Sequence, residues 1–218
     1  MVSHDDIPYD SFYRGDAPYF GIKPSDGLSE FIHQLSIAPG KTLDLGAGEG
    51  RNSLYLSEMG FDVVAIDASQ SAILKLTGYA RERNLKIDAK VEDFVGSEIG
   101  HEVFDLIVAV ASFSSISVEK MTDLRDRIVM GLVPGGYLYA VAFTVEDPGY
   151  AQQEPRAMSE CHFCVKHYFG PGELKALFSP LQIIAYAEYI KPDHTHGRPH
   201  VHGKAKLIAQ KPLPSLTD

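Results

Sequence analysis

Apolar positions along this chain change period repeatedly, from helical spacing to strand alternation to short continuous runs. Leu28, Phe31, Ile32 and Leu35 fall at i, i+3, i+4 and i+7, which predicts a helix over 26–36 that ends before Pro39 and Gly40. A first strand follows at 41–45, a helix at 51–59 stopped by Gly60, and a second strand, DVVAID, ending at Asp67. Ala72, Ile73, Leu76, Tyr79 and Ala80 form the buried stripe of the next helix. Ile87, Ala89 and Val91 alternate as strand three. FDLIVAV at 104–110 is a continuous run suited to a strand buried on both faces, and Met121, Leu124 and Ile128 turn a helix over 119–130 inward. PGGYLYAVAF supplies a turn and a fifth strand. Beyond it the rhythm loosens. Residues 144–169 read as a long loop, Pro171 opens a short helix at its first-turn position, and 181–190 and 204–210 read as two closing strands.

Strands taking turns with helices predict an α/β fold, a doubly wound and mostly parallel seven-stranded sheet whose last two strands form an antiparallel hairpin. The 218 residues suit a single domain, 1–218, with an N-terminal arm at 1–25. Segments 111–117, 144–169 and 190–203 then lie above the carboxyl ends of the strands, where such folds bind their ligands. Charge narrows the partners: a formal −9 with no basic stripe speaks against nucleic acid and for a small-molecule substrate. No stretch approaches the roughly 18 uninterrupted apolar residues of a membrane helix, and MVSHDDIPYD has no apolar leader core. A cytoplasmic protein with no membrane partner is expected, and two cysteines, Cys161 and Cys164, fit a reducing compartment. Nothing in the pattern sets an oligomeric state.

KTLDLGAGEGRNSLYL, residues 41–56, drives an apolar strand into Gly46, Gly48 and Gly50 and then into a helix. Such a turn lets a ligand approach main-chain atoms with no side chain between, as nucleotide-type cofactors require; a turn tightened only for strand-to-helix packing is the other reading. Asp67, about 20 residues further on, ends strand two where doubly wound folds place a carboxylate for ribose hydroxyls. Asp93 and Phe94 end strand three at the same rim, a polar reader and an apolar wall for an adenine. Spacing then separates two cofactor classes. A dinucleotide fingerprint puts its third small residue at the sixth position from the first glycine, and that position is Arg51. The third glycine comes one residue early, and Glu49 adds negative charge where a diphosphate would lie. A cofactor with no phosphate and a positive centre suits the loop better, which leaves an NAD-dependent oxidoreductase as the weaker enzyme reading.

LDLGAGEG with Asp67, EDF at 92–94 and LVPGGYLYAVAF at 132–143 resemble the successive motifs of the class I S-adenosylmethionine-dependent methyltransferases. Within that class, KTLDLGAGEGRNSLYLSEMGFDVVAIDAS followed by HYFGPGEL most resembles the tellurite-resistance (TehB-like) branch. The resemblance covers roughly residues 10–210 and implies a Rossmann-like methyltransferase fold with S-adenosylmethionine as cofactor. It implies that Asp44, Gly46, Gly48 and Gly50 face the methionine end of the cofactor, Asp67 its ribose, Asp93 and Phe94 its adenine, and the backbone near Val110 its sulfonium. Asn52 and Ala68 stand beside them. FYRGDAPYFG, 12–21, is similar to the segment that closes over the cofactor in relatives, which makes Tyr13, Arg14 and Tyr19 candidates for its carboxylate end and the lid. An arm that merely caps the sheet is the alternative.

Methyl transfer from a sulfonium is an in-line displacement in which placement in a dry site can be worth roughly 7–11 kcal/mol. A hydroxyl or protonated amine acceptor needs a base; a thiolate or reduced chalcogen anion does not. Acceptors of either kind, a thiol or a metalloid or chalcogen oxyanion among them, fit the reading. The unusual residues of the substrate-side segments are histidines and cysteines. ECHFCVKHYF holds Cys161, His162, Cys164 and His167, and PDHTHGRPHVHG holds His194, His196, His200 and His202, together six of the nine histidines. His200, His202 and His167 are the catalytic candidates. If the last strand begins at His200, period two aims His200 and His202 at one face and a hairpin brings His194 or His196 opposite. Neutral imidazoles at that spacing can hold a divalent transition metal, so His194, His196, His200 and His202 are candidate ligands, against a solvated hairpin or an anion-recognising run with Arg198. The same cluster admits a reading outside catalysis, a metal-binding or sensor module on a methyltransferase scaffold. The lone CxxC at Cys161 is a weak zinc signal.

Overall fold

The glycine-tightened strand at the centre of the sequence is also the centre of the sheet. The computed structural model describes residues 10–25, 27–151, 165–196 and 199–214. Seven strands run in the order β3-β2-β1-β4-β5-β7-β6: β1 (Lys41–Leu45), β2 (Asp62–Asp67), β3 (Ile87–Val91), β4 (Phe104–Val110), β5 (Leu132–Phe143), β6 (Gln182–Asp193) and β7 (His200–Gln210). The first five are parallel, and β7 pairs antiparallel with both β5 and β6. The strand order reverses between β1 and β4, so a crevice opens outside their carboxyl ends.

Helices cover both faces: α1 (Leu28–Gln34), α2 (Arg51–Glu58), α3 (Gln70–Glu82), α4 (Val118–Gly131), and the short α5 (Pro148–Ala151) and α6 (Glu173–Leu177). The period of two in β4 divides its apolar run between two cores. Leu106 and Val108 join Phe31 and Ile32 of α1 with Tyr139, whereas Ile107 and Ala109 join Leu124 and Ile128 of α4 with Phe178. Among the described residues, no helix is long and apolar enough to cross a membrane.

The elements fall close to their predicted places, and the departures have local causes. Val91 is 51% exposed because β3 is an edge strand, and Leu35 is exposed because α1 has ended at Gln34. Tyr79 is half-buried at the rim of its stripe. Pro171 lies before the helix, whose N-cap is Gly172 at φ 72, so α6 begins at Glu173. The 144–169 loop holds α5 and a parallel bridge between Thr144 and Phe169. Both closing strands are longer than predicted, since His202 pairs with Lys191 and His200 with Asp193. Such pairing is non-local, and histidines carry little strand propensity to announce it. Pro192 sits in β6, an edge strand that tolerates a missing amide donor.

Candidate functional site

A cavity of about 1110 Å³ opens over the carboxyl ends of the strands. One half is walled by the glycine loop and the strand ends, the other by the β6–β7 hairpin. In the first half, Gly46, Gly48, Asn52, Asp67, Ala68, Asp93, Phe94 and Val110 all line the space. Gly46 and Gly48 adopt φ of 70° and 55°, and a Cβ on Gly46 would stand 2.9 Å from Ser112 Oγ. The loop therefore presents bare backbone, as the sequence predicts. Asp67 Oδ2 accepts a hydrogen bond from Gly48 N and Oδ1 one from Ser69 N, each at 2.8 Å, so this carboxylate fixes the loop as well as facing the cavity. Burial raises its pKa; the amides of Ser69 and Gly48 oppose the rise and Asp10 adds to it.

Asp44 and Gly50 are placed differently from expectation. Neither lines the cavity. A Cβ on Gly50, at φ 85, would overlap the Leu76 side chain, so this glycine lets α3 pack tightly on the start of α2. Asp44 is 1% exposed beneath the loop and accepts from Ser53 Oγ at 2.6 Å. Burial raises its carboxyl from 3.8 to about 6; Ser53 opposes this, Asp67 adds to it, and Arg51 opposes it. A folded-state pKa above the unfolded value means that the group's stabilisation is complete below pH 3.8 and is lost as pH rises through 6. Asp44→Asn is therefore expected to gain on the parent by on the order of 2–3 kcal/mol in unfolding free energy between about pH 4 and about pH 7.5. Urea unfolding at the two pH values measures this, and a constant difference would mean that the buried carboxyl keeps its charge.

The N-terminal arm docks against both halves. Asp10 is buried and accepts from Ser69 Oγ at 2.6 Å, Ser71 N at 3.1 Å and Ser71 Oγ at 3.1 Å. Burial works to raise its pKa, but these bonds and Arg14 hold it below the usual value. Tyr13 is buried and lines the cavity beside Gly48. Arg14 does not line it; its side chain is 59% exposed and pairs with Asp10 at 3.3 Å. Tyr19 also stays outside, donating its amide to Glu49 Oε2 at 2.6 Å and packing on Phe12, Phe20 and His196, while Phe20 itself lines the space. Asn52 Oδ1 accepts from Ser25 N at 2.8 Å, a second tie between arm and loop. Glu49 pairs with Lys75 at 2.6 Å, which neutralises the charge that the sequence set against a diphosphate; that argument now rests on glycine spacing alone.

In the second half, the hairpin brings three imidazoles together. His200 Nε2 and His202 Nε2 are 2.9 Å apart, and one nitrogen from each of His196, His200 and His202 lies within 4.8 Å of the others. His196 and His202 line the cavity; His200 does not, and its ring stands 4.7 Å from that of His196 and 4.5 Å from that of His202. Behind His202, Asp147 Oδ2 lies 2.8 Å from Nδ1, with both side chains almost fully buried. Asp147 is fixed in turn by Gly203 N at 3.1 Å and Gly149 N at 2.8 Å. Burial lowers the His202 pKa against the opposing pull of Asp147, and burial lowers that of His196 to about 4 against Asp193. His194 lines the cavity but is exposed and stands outside the trio. His167 is not at the cavity; it pairs with Glu173 Oε1 at 2.7 Å and packs edge-on against Phe169. Cys161, His162, Cys164 and Arg198 lie outside the described residues.

The family of tellurite resistance protein TehB matches residues 28–200. The chain belongs to this family. The crystal structure of TehB from Haemophilus influenzae has a TM-score of 0.69 at 24% identity, covering 93% of this chain and 65% of that one. The probable S-adenosyl-L-methionine-dependent methyltransferase TehB of Haemophilus influenzae (strain 10810) is 30% identical over 153 residues, 70% of this chain and 49% of that protein. The 2-heptyl-1-hydroxyquinolin-4(1H)-one methyltransferase of Mycobacteroides abscessus is 33% identical over 147 residues, 62% of this chain and 63% of that protein. The chain thus spans between 49% and 63% of the length of these two curated relatives. The TehB-matched stretch includes the glycine loop, Asp67, His196 and His200; the arm before residue 28 and His202 fall outside it.

Sequence reasoning missed Asp10, Phe20, Ser112 and Asp147. The first two sit within or beside an arm already suspected. Asp147 reads as an ordinary Asp-Pro-Gly turn, and its partner is 55 residues away, so no spacing rule connects them.

Proposed function

We propose that the chain transfers a methyl group from S-adenosylmethionine to a small-molecule acceptor by in-line displacement. The observation that carries this reading is that the bare-backbone loop with its carboxylate rim and the hairpin imidazoles line one cavity of about 1110 Å³. Membership of the TehB family, with relatives named as methyltransferases, supports it. Bound S-adenosylmethionine supplies a methyl group on a sulfonium.

The residues present fit that cofactor. Gly46 and Gly48 leave main chain open to the methionine end, with Tyr13 beside them. Asp67 retains acceptor capacity for ribose hydroxyls beyond its two amides, since a carboxylate offers about four lone-pair sites. Asp93 and Phe94 give the adenine a polar edge and an apolar face. Val110 and Ala111, the latter in the left-handed region at φ 62, border the reacting centre and face the hairpin across the cavity. The acceptor would lie between them and His196 and His202, its attacking lone pair in line with the departing sulfur. Thiols, metalloid oxyanions and hydroxylated heteroaromatics are the acceptor classes to try.

S-adenosylmethionine and its demethylated product are expected to raise the thermal midpoint, and NAD is not. A ligand at about 100 times its Kd contributes roughly 2.7 kcal/mol to the folded state. Label transfer from methyl-labelled cofactor to a panel of thiols, oxyanions, amines and hydroxylated heteroaromatics then tests turnover. Equal stabilisation by NAD would reject the cofactor assignment and favour the oxidoreductase reading.

A further inference from the structure

We propose that His196, His200 and His202 form a three-imidazole site for a divalent transition metal ion, held on the acceptor side of the cavity with Asp147 as its outer carboxylate. This rests on the methyl-transfer reading for what the ion does, but not for whether it binds.

The hairpin builds the trio from separate directions. His200 and His202 share one face of β7 by the period of two, and His196, from the turn after β6, faces them with its ring 4.7 Å from His200 and 5.9 Å from His202. Two nitrogens bound to one tetrahedral ion at about 2.0–2.1 Å stand roughly 3.3 Å apart, close to the 2.9 Å between His200 Nε2 and His202 Nε2. A hydrogen bond between those two atoms satisfies that pair alone. His196 Nε2 is buried without a hydrogen-bond partner among the described residues, an expensive state for a polar atom. One cation accepts a lone pair from all three and removes that cost.

The outer contacts set the tautomers in the same sense. Asp147 Oδ2 receives the Nδ1–H of His202 at 2.8 Å, which leaves the Nε2 lone pair directed into the trio. His196 Nδ1 lies 3.2 Å from Thr195 Oγ1 and 3.7 Å from Asp193 Oδ1, again leaving Nε2 inward. A ligating histidine backed by a carboxylate through its other nitrogen is the usual outer arrangement of protein metal sites. Three imidazoles also leave coordination positions open, and here His196 and His202 border the cavity. The acceptor class that follows is a small molecule with an ionisable hydroxyl. The hydroxyl proton leaves to solvent on ligation, the oxygen bonds to the methyl carbon, and the carbon–sulfur electron pair returns to sulfur, giving a methyl ether and a neutral thioether.

The test uses the full chain with no affinity histidines, stripped with chelator and titrated with Co(II). One equivalent per chain with an intense visible ligand-field band is expected, and the same from His33→Ala, a histidine outside the cluster. His200→Ala with His202→Ala should abolish the band, and Asp147→Asn should weaken binding by about 10–100-fold. Calorimetric titration with S-adenosylhomocysteine runs in parallel and should be unchanged in both. If the double variant does not fold, the Asp147→Asn comparison and the parent titration decide. Co(II) bound no more tightly by the parent than by the variants, or with the spectrum of the hydrated ion, overturns the metal site while leaving the cofactor reading intact. Metal binding without any S-adenosylhomocysteine binding keeps the site and rejects the methyl-transfer reading.

Discussion

Gly203→Ala is expected to reduce methyl transfer by about 100-fold or more while leaving cofactor affinity within about twofold of the parent. A Cβ at this position would overlap Asp147 N and would stand 2.6 Å from Glu146 C and 2.9 Å from Thr144 Oγ1, so the obstruction is mainly backbone and cannot rotate away. Strand β7 and the turn at 144–147 would have to separate. That separation strains the bonds from Gly203 N to Asp147 Oδ2 at 3.1 Å and from Thr144 N to Gly203 O at 3.0 Å, and with them the placement of Asp147 behind His202. A shift of about 1 Å at a reacting group is enough for a loss of this size, and overpacking adds roughly 1–3 kcal/mol of destabilisation. Gly203 does not line the cavity, whereas the glycine loop lies in another segment, which is why binding should survive. Gly15→Ala is the control, because nothing lies within 4 Å of its Cβ. Single-turnover rates on the best acceptor and an S-adenosylhomocysteine titration read the two effects. Full transfer by a folded Gly203→Ala protein would show that the Asp147–His202 arrangement has no part in the reaction.

Asp67→Ala is expected to weaken cofactor binding by about 100-fold and to cost the fold as well. Each charge-assisted hydrogen bond to a ribose hydroxyl is worth about 1.5–3 kcal/mol. The sequence alone suggests damage confined mostly to the cofactor. The structure alters that expectation, because the same carboxylate accepts from Gly48 N and Ser69 N, and its removal leaves both amides seeking partners at about 1–3 kcal/mol each. Asp67→Asn, which keeps one carbonyl oxygen, should fall between alanine and the parent in both respects. Calorimetry and urea unfolding separate the two losses. Parent-like affinity in a folded Asp67→Ala protein would place the ribose elsewhere.

The sequence by itself determined the sheet's parallel half, because there the signals are local. An apolar run such as FDLIVAV, a glycine after a helix, or an i, i+3, i+4 stripe each states its element within a dozen residues. The loop of Gly46 and Gly48 with Asp67 and the Asp93–Phe94 rim was legible for the same reason: each follows directly on a strand end, and parallel strands bring their carboxyl ends to one edge. Tertiary structure decided which residues near these landmarks face the cavity. Asp44 sits two residues before the lining Gly46 yet is buried beneath the loop, and Gly50 serves Leu76 packing, distinctions set by the pleat and by a helix 26 residues away. It also decided the hairpin. Antiparallel pairing of β6 with β7 fixes the register that brings His196 to His200 and His202, while excluding His194 and His167. Asp147 reaches His202 only because Gly203 lets two backbones touch, and a contact made by the absence of a side chain leaves no pattern in the chain itself.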